Sequence, residues 1–364
     1  MPFPLPIAPA LKPFLPSHFP YAKFAFTVAL GMAAGWAFQR MSVPLPWMLG
    51  PMCAVTMAVL VNLPVSAPAV VRPPMTALIG VMLGSNVSPA LLAQIPQMAL
   101  TIALQFVLLT GLSAVGVWYY RRVARLDPVT AFYAGMPGGM IEMSMLGEDR
   151  GGDGQAVILV HSARVLMIIA IVPFLVQFIE HVSLGPRQAS AVSVMDAPLA
   201  TFLWLVPVTV VGVMLGRRLR LPARDLFGPM FVSIGVHASG LTDFVLPREI
   251  VIGAQLLLGS VIGCRFIGYD KRAILRIFVL SFGATALLLA LTAAFCLAVA
   301  KVLDVGLARL LLAYAPGGIA EMSLVAMALH LEVAFVMVHQ FARILVVASA
   351  AAPIHALLGW KAQP

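Results

Sequence analysis

Ten apolar stretches of roughly 17–25 residues, the length that spans a bilayer as a helix, dominate this chain. They run over 24–40, 45–63, 75–95, 98–118 and 155–179 in the first half, and over 198–216, 226–244, 250–268, 276–302 and 333–358 in the second. In lipid a segment must satisfy its own backbone donors and acceptors, which leaves helices as the solution for stretches this long. The fold class expected is an all-α polytopic membrane protein. Composition agrees, with 61 % hydrophobic and 10 % charged residues, against about 45–50 % and 25 % in soluble domains. Fourteen acids and 23 bases cannot coat a water-soluble particle of 364 residues, so a soluble enzyme or DNA-binding domain is close to excluded. The net charge of +9 fits the gathering of Lys and Arg in cytoplasmic loops.

The chain repeats itself. Pro137-Gly138-Gly139 matches Pro316-Gly317-Gly318, Glu142-Met143-Ser144 matches Glu321-Met322-Ser323, and Arg164 matches Arg343, all at an offset of 179 residues. Gly50-Pro51-Met52 matches Gly228-Pro229-Met230 at an offset of 178. The matched residues are Pro, Glu and Arg, which are rare inside membranes, and internal duplication marks many transporter folds. The domain organisation expected is a proline-rich arm over 1–23, a membrane repeat over 24–179, a polar linker over 180–197 and a second repeat over 198–360.

Between the fourth and fifth stretch of each half lies a segment broken by Pro-Gly-Gly, at 128–147 and 306–329. If these segments dip in and return, loops on the N-terminal side hold 16 Lys and Arg and the other side holds 5. If they cross, the split is 11 against 10. The first arrangement follows the charge bias of membrane proteins. It gives ten spans plus two broken segments, two repeats inverted with respect to each other, and both termini in the cytoplasm.

Proline and glycine at bilayer depth free backbone groups from the helix ladder, and such breaks survive where protein or a water-filled cavity covers them. Each break starts a new half-helix whose N–H groups and positive dipole end point at whatever sits there. Glu142 and Glu321 stand three residues beyond the second glycine. They admit two readings: a cap on the half-helix, or a cavity acid that binds a proton or cation. Ser144 and Ser323 add hydroxyls. Arg164 and Arg343 follow the glutamates by 22 residues in both halves, a spacing that suggests an intramembrane Glu–Arg pair, either bracing the fold or offering a fork to a carboxylate. His161 and His339 precede the arginines by three and four residues, on the same helix face. The candidate solute- or ion-binding set is Pro137, Gly138, Gly139, Glu142, Ser144, Arg164, Pro316, Gly317, Gly318, Glu321, Ser323 and Arg343, with His161 and His339 as a proton relay. At the constant offset, however, His161 faces Gln340.

No catalytic or cofactor motif stands out. Cys53, Cys264 and Cys296 sit singly in apolar runs, without metal-ligand spacing, and there is no Walker loop, dinucleotide fingerprint or H-E-x-x-H. The reading is no enzyme, no cofactor and no metal. The partners expected are the lipid bilayer and a small solute or coupling ion, with no direct nucleic acid and with room for a homo-oligomer.

The Gly-Pro-Met helix, then Met136-Pro137-Gly138-Gly139 with Glu142-Met143-Ser144, then a helix carrying Arg164, twice over, resembles the bacterial AbrB-duplication membrane proteins. The resemblance covers almost all of the chain beyond the arm and implies a location in the bacterial inner membrane. Names used in that family imply transcriptional regulation or an ammonia monooxygenase. Regulation would be indirect here, since no soluble DNA-binding module is visible, and a monooxygenase would need a metal or flavin site. The function expected is secondary transport of a small organic solute, anions included, at the two breaks; a membrane sensor that affects gene expression is the alternative.

Overall fold

A computed structural model describes residues 19–87, 95–180, 192–329 and 331–360. Most of the expected arm (1–23) and linker (180–197) lies outside the described residues. Within them the chain is helix and turn, with no strand.

Fourteen α-helices are described. The first seven are α1 (Tyr21–Arg40), α2 (Pro46–Leu60), α3 (Arg72–Ser85), α4 (Ala99–Arg122), α5 (Pro128–Gly135), α6 (Met140–Glu148) and α7 (Gly154–Glu180). The second seven follow the same order: α8 (Leu199–Arg218), α9 (Arg224–Ala238), α10 (Arg248–Gly263), α11 (Lys271–Leu303), α12 (Leu307–Tyr314), α13 (Ile319–Ala328) and α14 (Val333–Leu358).

The two sets interlock in two bundles. In the first, α2 packs on α1 and α10 while α9 packs on α8 and α3, so each half completes the other. The matched Gly-Pro-Met motifs sit at these crossings. A Cβ on Gly50 would lie 2.7 Å from the backbone of Ala34, and one on Gly228 would lie 2.9 Å from Gly216. Small residues let membrane helices approach this closely. The second bundle holds the broken segments: α5 packs on α4 and α7, and α12 on α11 and α14. The bundles meet where α13 packs on α3.

Six described helices are long and apolar enough to cross a membrane: Pro96–Arg122, Gly154–Glu180, Leu199–Arg218, Arg248–Phe266, Lys271–Leu303 and Val333–Leu358. The sequence suggested ten spans. Three of the others are shorter than their apolar stretches: 45–63 forms a 15-residue α2, 75–95 a 14-residue α3, and 226–244 a 15-residue α9. At 1.5 Å per residue these reach about 22 Å, short of a hydrocarbon core of about 30 Å. Their ends are set by local chemistry that hydropathy averages away. Left-handed Leu45 and Ala223 precede α2 and α9, and Asn62, also left-handed, follows α2.

Candidate functional site

Each Pro-Gly-Gly ends one short helix and starts another. Asp127 caps α5, its Oδ1 accepting from the Val129 and Thr130 N–H groups at 3.1 and 3.0 Å, and Pro128 occupies the first turn, where its missing donor costs nothing. Eight residues later the chain turns extended at Met136, and α6 starts at Met140. In the second half α12 also has eight residues, Ala315 is extended, and α13 starts at Ile319. Eight helical residues reach about 12 Å, close to half the thickness of a hydrocarbon core.

Both broken segments close on themselves. The Asp153 N–H, after α6, donates to Thr130 Oγ1, at the start of α5, at 2.7 Å. In the second half Arg309, at the start of α12, pairs with Glu332, which precedes α14. Thr130 and Arg309 are 179 residues apart, as are Asp153 and Glu332. One half closes with a neutral bond and the other with an ion pair, at equivalent positions.

The breaks free carbonyls, and the arginines meet them. Arg343 is buried, donating from one terminal nitrogen to Ala315 O and from the other to Gly317 O, both at 2.6 Å. Arg164, also buried, donates from both terminal nitrogens to Met136 O at 3.3 Å. The expected Glu142–Arg164 and Glu321–Arg343 ion pairs are not formed. Ion pairs among the described residues join Arg217 to Asp225, Arg248 to Glu249 and Arg309 to Glu332. The reason lies in the half-helix start: both glutamates fold back over the preceding glycine, so a Cβ on Gly139 or Gly318 would run into the carboxylate of Glu142 or Glu321. A carbonyl cut loose from a helix ladder inside a membrane needs a donor, and the guanidinium fork supplies several.

His161 and Gln340 occupy equivalent positions with equivalent bonds. His161 Nε2 donates to Tyr133 O at 3.0 Å. Gln340 Nε2 donates to Leu312 O at 2.8 Å and to Ala315 O at 3.2 Å. Tyr133 and Leu312 are again 179 apart. Arg164 donates to His161 Nδ1 at 2.8 Å. A carbonyl only accepts and a guanidinium only donates, so His161 carries its hydrogen on Nε2 and its remaining lone pair is occupied. His339 stands apart from the break: it bonds Phe335 O at 2.7 Å and Thr101 Oγ1, on α4, at 2.9 Å.

The serines diverge. Ser144 Oγ donates to Gly154 O at 2.9 Å, stapling α6 to the start of α7. Ser323 Oγ is fully buried and has no partner among the described residues. Arg164 Nε, Arg343 Nε and Gln340 Oε1 are likewise buried and unpartnered.

The two breaks converge. Arg343 feels the charge of Arg164 from the other half and that of Glu321, and a Cβ on Gly317 would lie 2.9 Å from Ile168 on α7. Two residues that the charge count placed among the bases of the N-terminal-side loops, Arg265 and Arg72, join them. Arg265, in the turn after α10, lies in the fields of Arg72 and Glu321 and hydrogen-bonds to nothing among the described residues. The halves therefore differ: Glu321 is half-buried with arginines near it, while Glu142 is exposed. The Thr130–Asp153 and Arg309–Glu332 closures were readable from the 179-residue offset. Arg265 carried no such signal, because its place beside Glu321 comes from the packing of the first bundle against the second.

The fold and site define a multi-pass helical membrane protein in which two broken helices meet around buried arginines. Residues 47–359 match the family described as Transition state regulatory protein AbrB, and the chain belongs to that family. It is 24 % identical over 358 residues to "Uncharacterized protein YhjN" of Bacillus subtilis (strain 168), covering 91 % of this chain and 92 % of that protein. It is also 24 % identical over 336 residues to "Putative regulator AbrB" of Escherichia coli (strain K12), covering 89 % of this chain and 93 % of that protein.

Proposed function

We propose that this protein is a secondary transporter of a small organic anion, which binds where the two Pro-Gly-Gly breaks meet. The observation that carries this reading is the charge balance there. Arg164 and Arg343 are buried without an ion pair among the described residues, and Arg265 stands near them with Glu321 close by. Isolated charge is expensive in a membrane interior and marks function there. A carboxylate or similar anion offsets an excess of guanidinium charge and accepts from their donors. The unpartnered buried atoms of Ser323, Gln340, Arg164 and Arg343 supply the polar lining that fixes a ligand's orientation.

The architecture is proposed as two inverted repeats with re-entrant breaks and both termini cytoplasmic, as in carriers built around a midplane site. Re-entry is supported by the Thr130–Asp153 and Arg309–Glu332 closures. The side assignment is supported by contacts between groups that the 16-to-5 count puts together, such as Arg125 lining one groove with Arg272 and Arg276, which crossing breaks would put on opposite sides. In this reading the protein catalyses no reaction and needs no cofactor.

The test is solid-supported membrane electrophysiology on proteoliposomes, scanning mono- and dicarboxylates under inward proton or sodium gradients. Wild type should give gradient-dependent currents with some of these anions, and Arg265→Gln should abolish them while remaining folded. Folded wild type with no response to any anion would overturn the carrier reading. The name of the Escherichia coli relative then favours a second reading, a membrane sensor that acts indirectly on gene expression.

A further inference from the structure

A groove of about 640 Å³ opens between the loop after α4 and the first turns of α11. Its walls are Val123, Arg125, Arg272, Leu275, Arg276, Val279 and Leu280. Residues 272, 275, 276, 279 and 280 form one stripe of a helix, since three- and four-residue steps share a face. The arginines lie in its first two turns, and the leucines and valine continue deeper into the span. Arg125 comes from the opposite wall, with a left-handed backbone (φ 56°). Val123, Leu275 and Val279 are 46 %, 65 % and 65 % exposed.

These three guanidiniums form no ion pair among the described residues. The nearby Asp270 carboxylate is spent on capping, its Oδ2 accepting from the Arg272 and Ala273 N–H groups. Lys271, Arg272 and Arg276 thus stand at the positive end of a 33-residue helix, where cations are disfavoured and anions are welcome. The charged group that belongs there is negative, and it must tolerate an apolar wall beneath it.

We propose that this groove binds an anionic phospholipid, with its phosphate held by Arg125, Arg272 and Arg276 and an acyl chain lying along Leu275, Val279 and Leu280. The order of the stripe, cations at the mouth and apolar side chains along the span, follows the order of a lipid from headgroup to tail. Basic pockets between membrane helices bind anionic headgroups on this principle. A soluble anion would gain from the arginines but nothing from the exposed apolar wall.

The test is native mass spectrometry of the purified full chain with equimolar phosphatidylglycerol and phosphatidylcholine. Wild type should retain phosphatidylglycerol preferentially. Each of Arg125→Gln, Arg272→Gln and Arg276→Gln should cut the preference about fivefold, and the triple change should erase it. The triple change Arg217→Gln, Arg218→Gln and Arg220→Gln, at another basic cluster, should leave it intact. Millimolar inorganic phosphate should not displace the lipid, and short-chain phosphatidylglycerol should bind less well than long-chain. Equal retention of both lipids, a preference untouched by the single groove variants, or displacement by phosphate alone would overturn the proposal. The single variants keep the test decisive if the triple variant fails to fold.

Discussion

Arg343 and Arg164 look alike in the sequence but hold different shares of the fold. Arg343 makes two bonds of 2.6 Å to two separate carbonyls, whereas Arg164 shares one carbonyl at 3.3 Å and leans on His161. Hydrogen bonds to charged groups contribute about 1.5–3 kcal/mol each. Arg343→Met should therefore destabilise by about 3 kcal/mol or more, and Arg164→Met by clearly less, as read from denaturation in detergent. The glutamates should differ too. Glu142 is exposed, so Glu142→Gln should change stability by less than about 0.5 kcal/mol. Glu321 offsets the charge of Arg343 and Arg265, so Glu321→Gln should destabilise measurably, and adding Arg265→Gln should recover part of the loss. A Glu321→Gln protein as stable as wild type would remove that charge-balancing role.

Each broken segment folds back on itself, a hairpin whose closure depends on a few contacts. The first is pressed onto α4 at Gly135. A Cβ there would meet the Val117 backbone and lie 2.7 Å from that of Gly116. Overpacking of this kind costs about 1–3 kcal/mol, so Gly135→Ala should lower the melting temperature and loosen α5. The second hairpin is closed by the Arg309–Glu332 pair. Arg309→Gln leaves a partly buried carboxylate without its cation, at about 2 kcal/mol. Hydrogen exchange should then quicken at 316–323 and stay unchanged at 137–144, where the closure is the neutral Thr130–Asp153 bond. Equal changes in both hairpins would show that the pair stabilises the whole bundle and not its own segment.

For the whole molecule the testable quantity is sidedness. With re-entrant breaks, Val123→Cys and Arg220→Cys should react with an impermeant thiol reagent from the cytoplasmic side, and Leu303→Cys from the opposite side. Labelling of positions 123 and 303 from one side would require a broken segment to cross, and the inverted arrangement would fail. The interlock of the halves, with α2 on α10 and α3 on α9, also implies that neither half holds its short helices alone. Separately expressed halves should be unstable apart and recover on co-expression, read by the yield of folded protein.

Much of this protein was legible without coordinates, because a bilayer demands so much of a sequence. Uninterrupted apolar stretches imposed helices, and Pro-Gly-Gly imposed breaks where it stood, since neither residue sustains a ladder. The 179-residue offset tied each element to its counterpart, and even Gln340 at the place of His161 was visible in it. Other features depended on packing. Hydropathy averages over a window, so it could not show that α2, α3 and α9 stop at 14 or 15 residues. Equal spacing of Glu and Arg suggested a pair, yet spacing along a chain says nothing about direction. The half-helix start turns each glutamate back over its own glycine, and the freed carbonyls claim the arginines. Arg265 joins Glu321 only because two bundles meet at α3 and α13, a contact made between residues far apart in the chain and written in no local pattern.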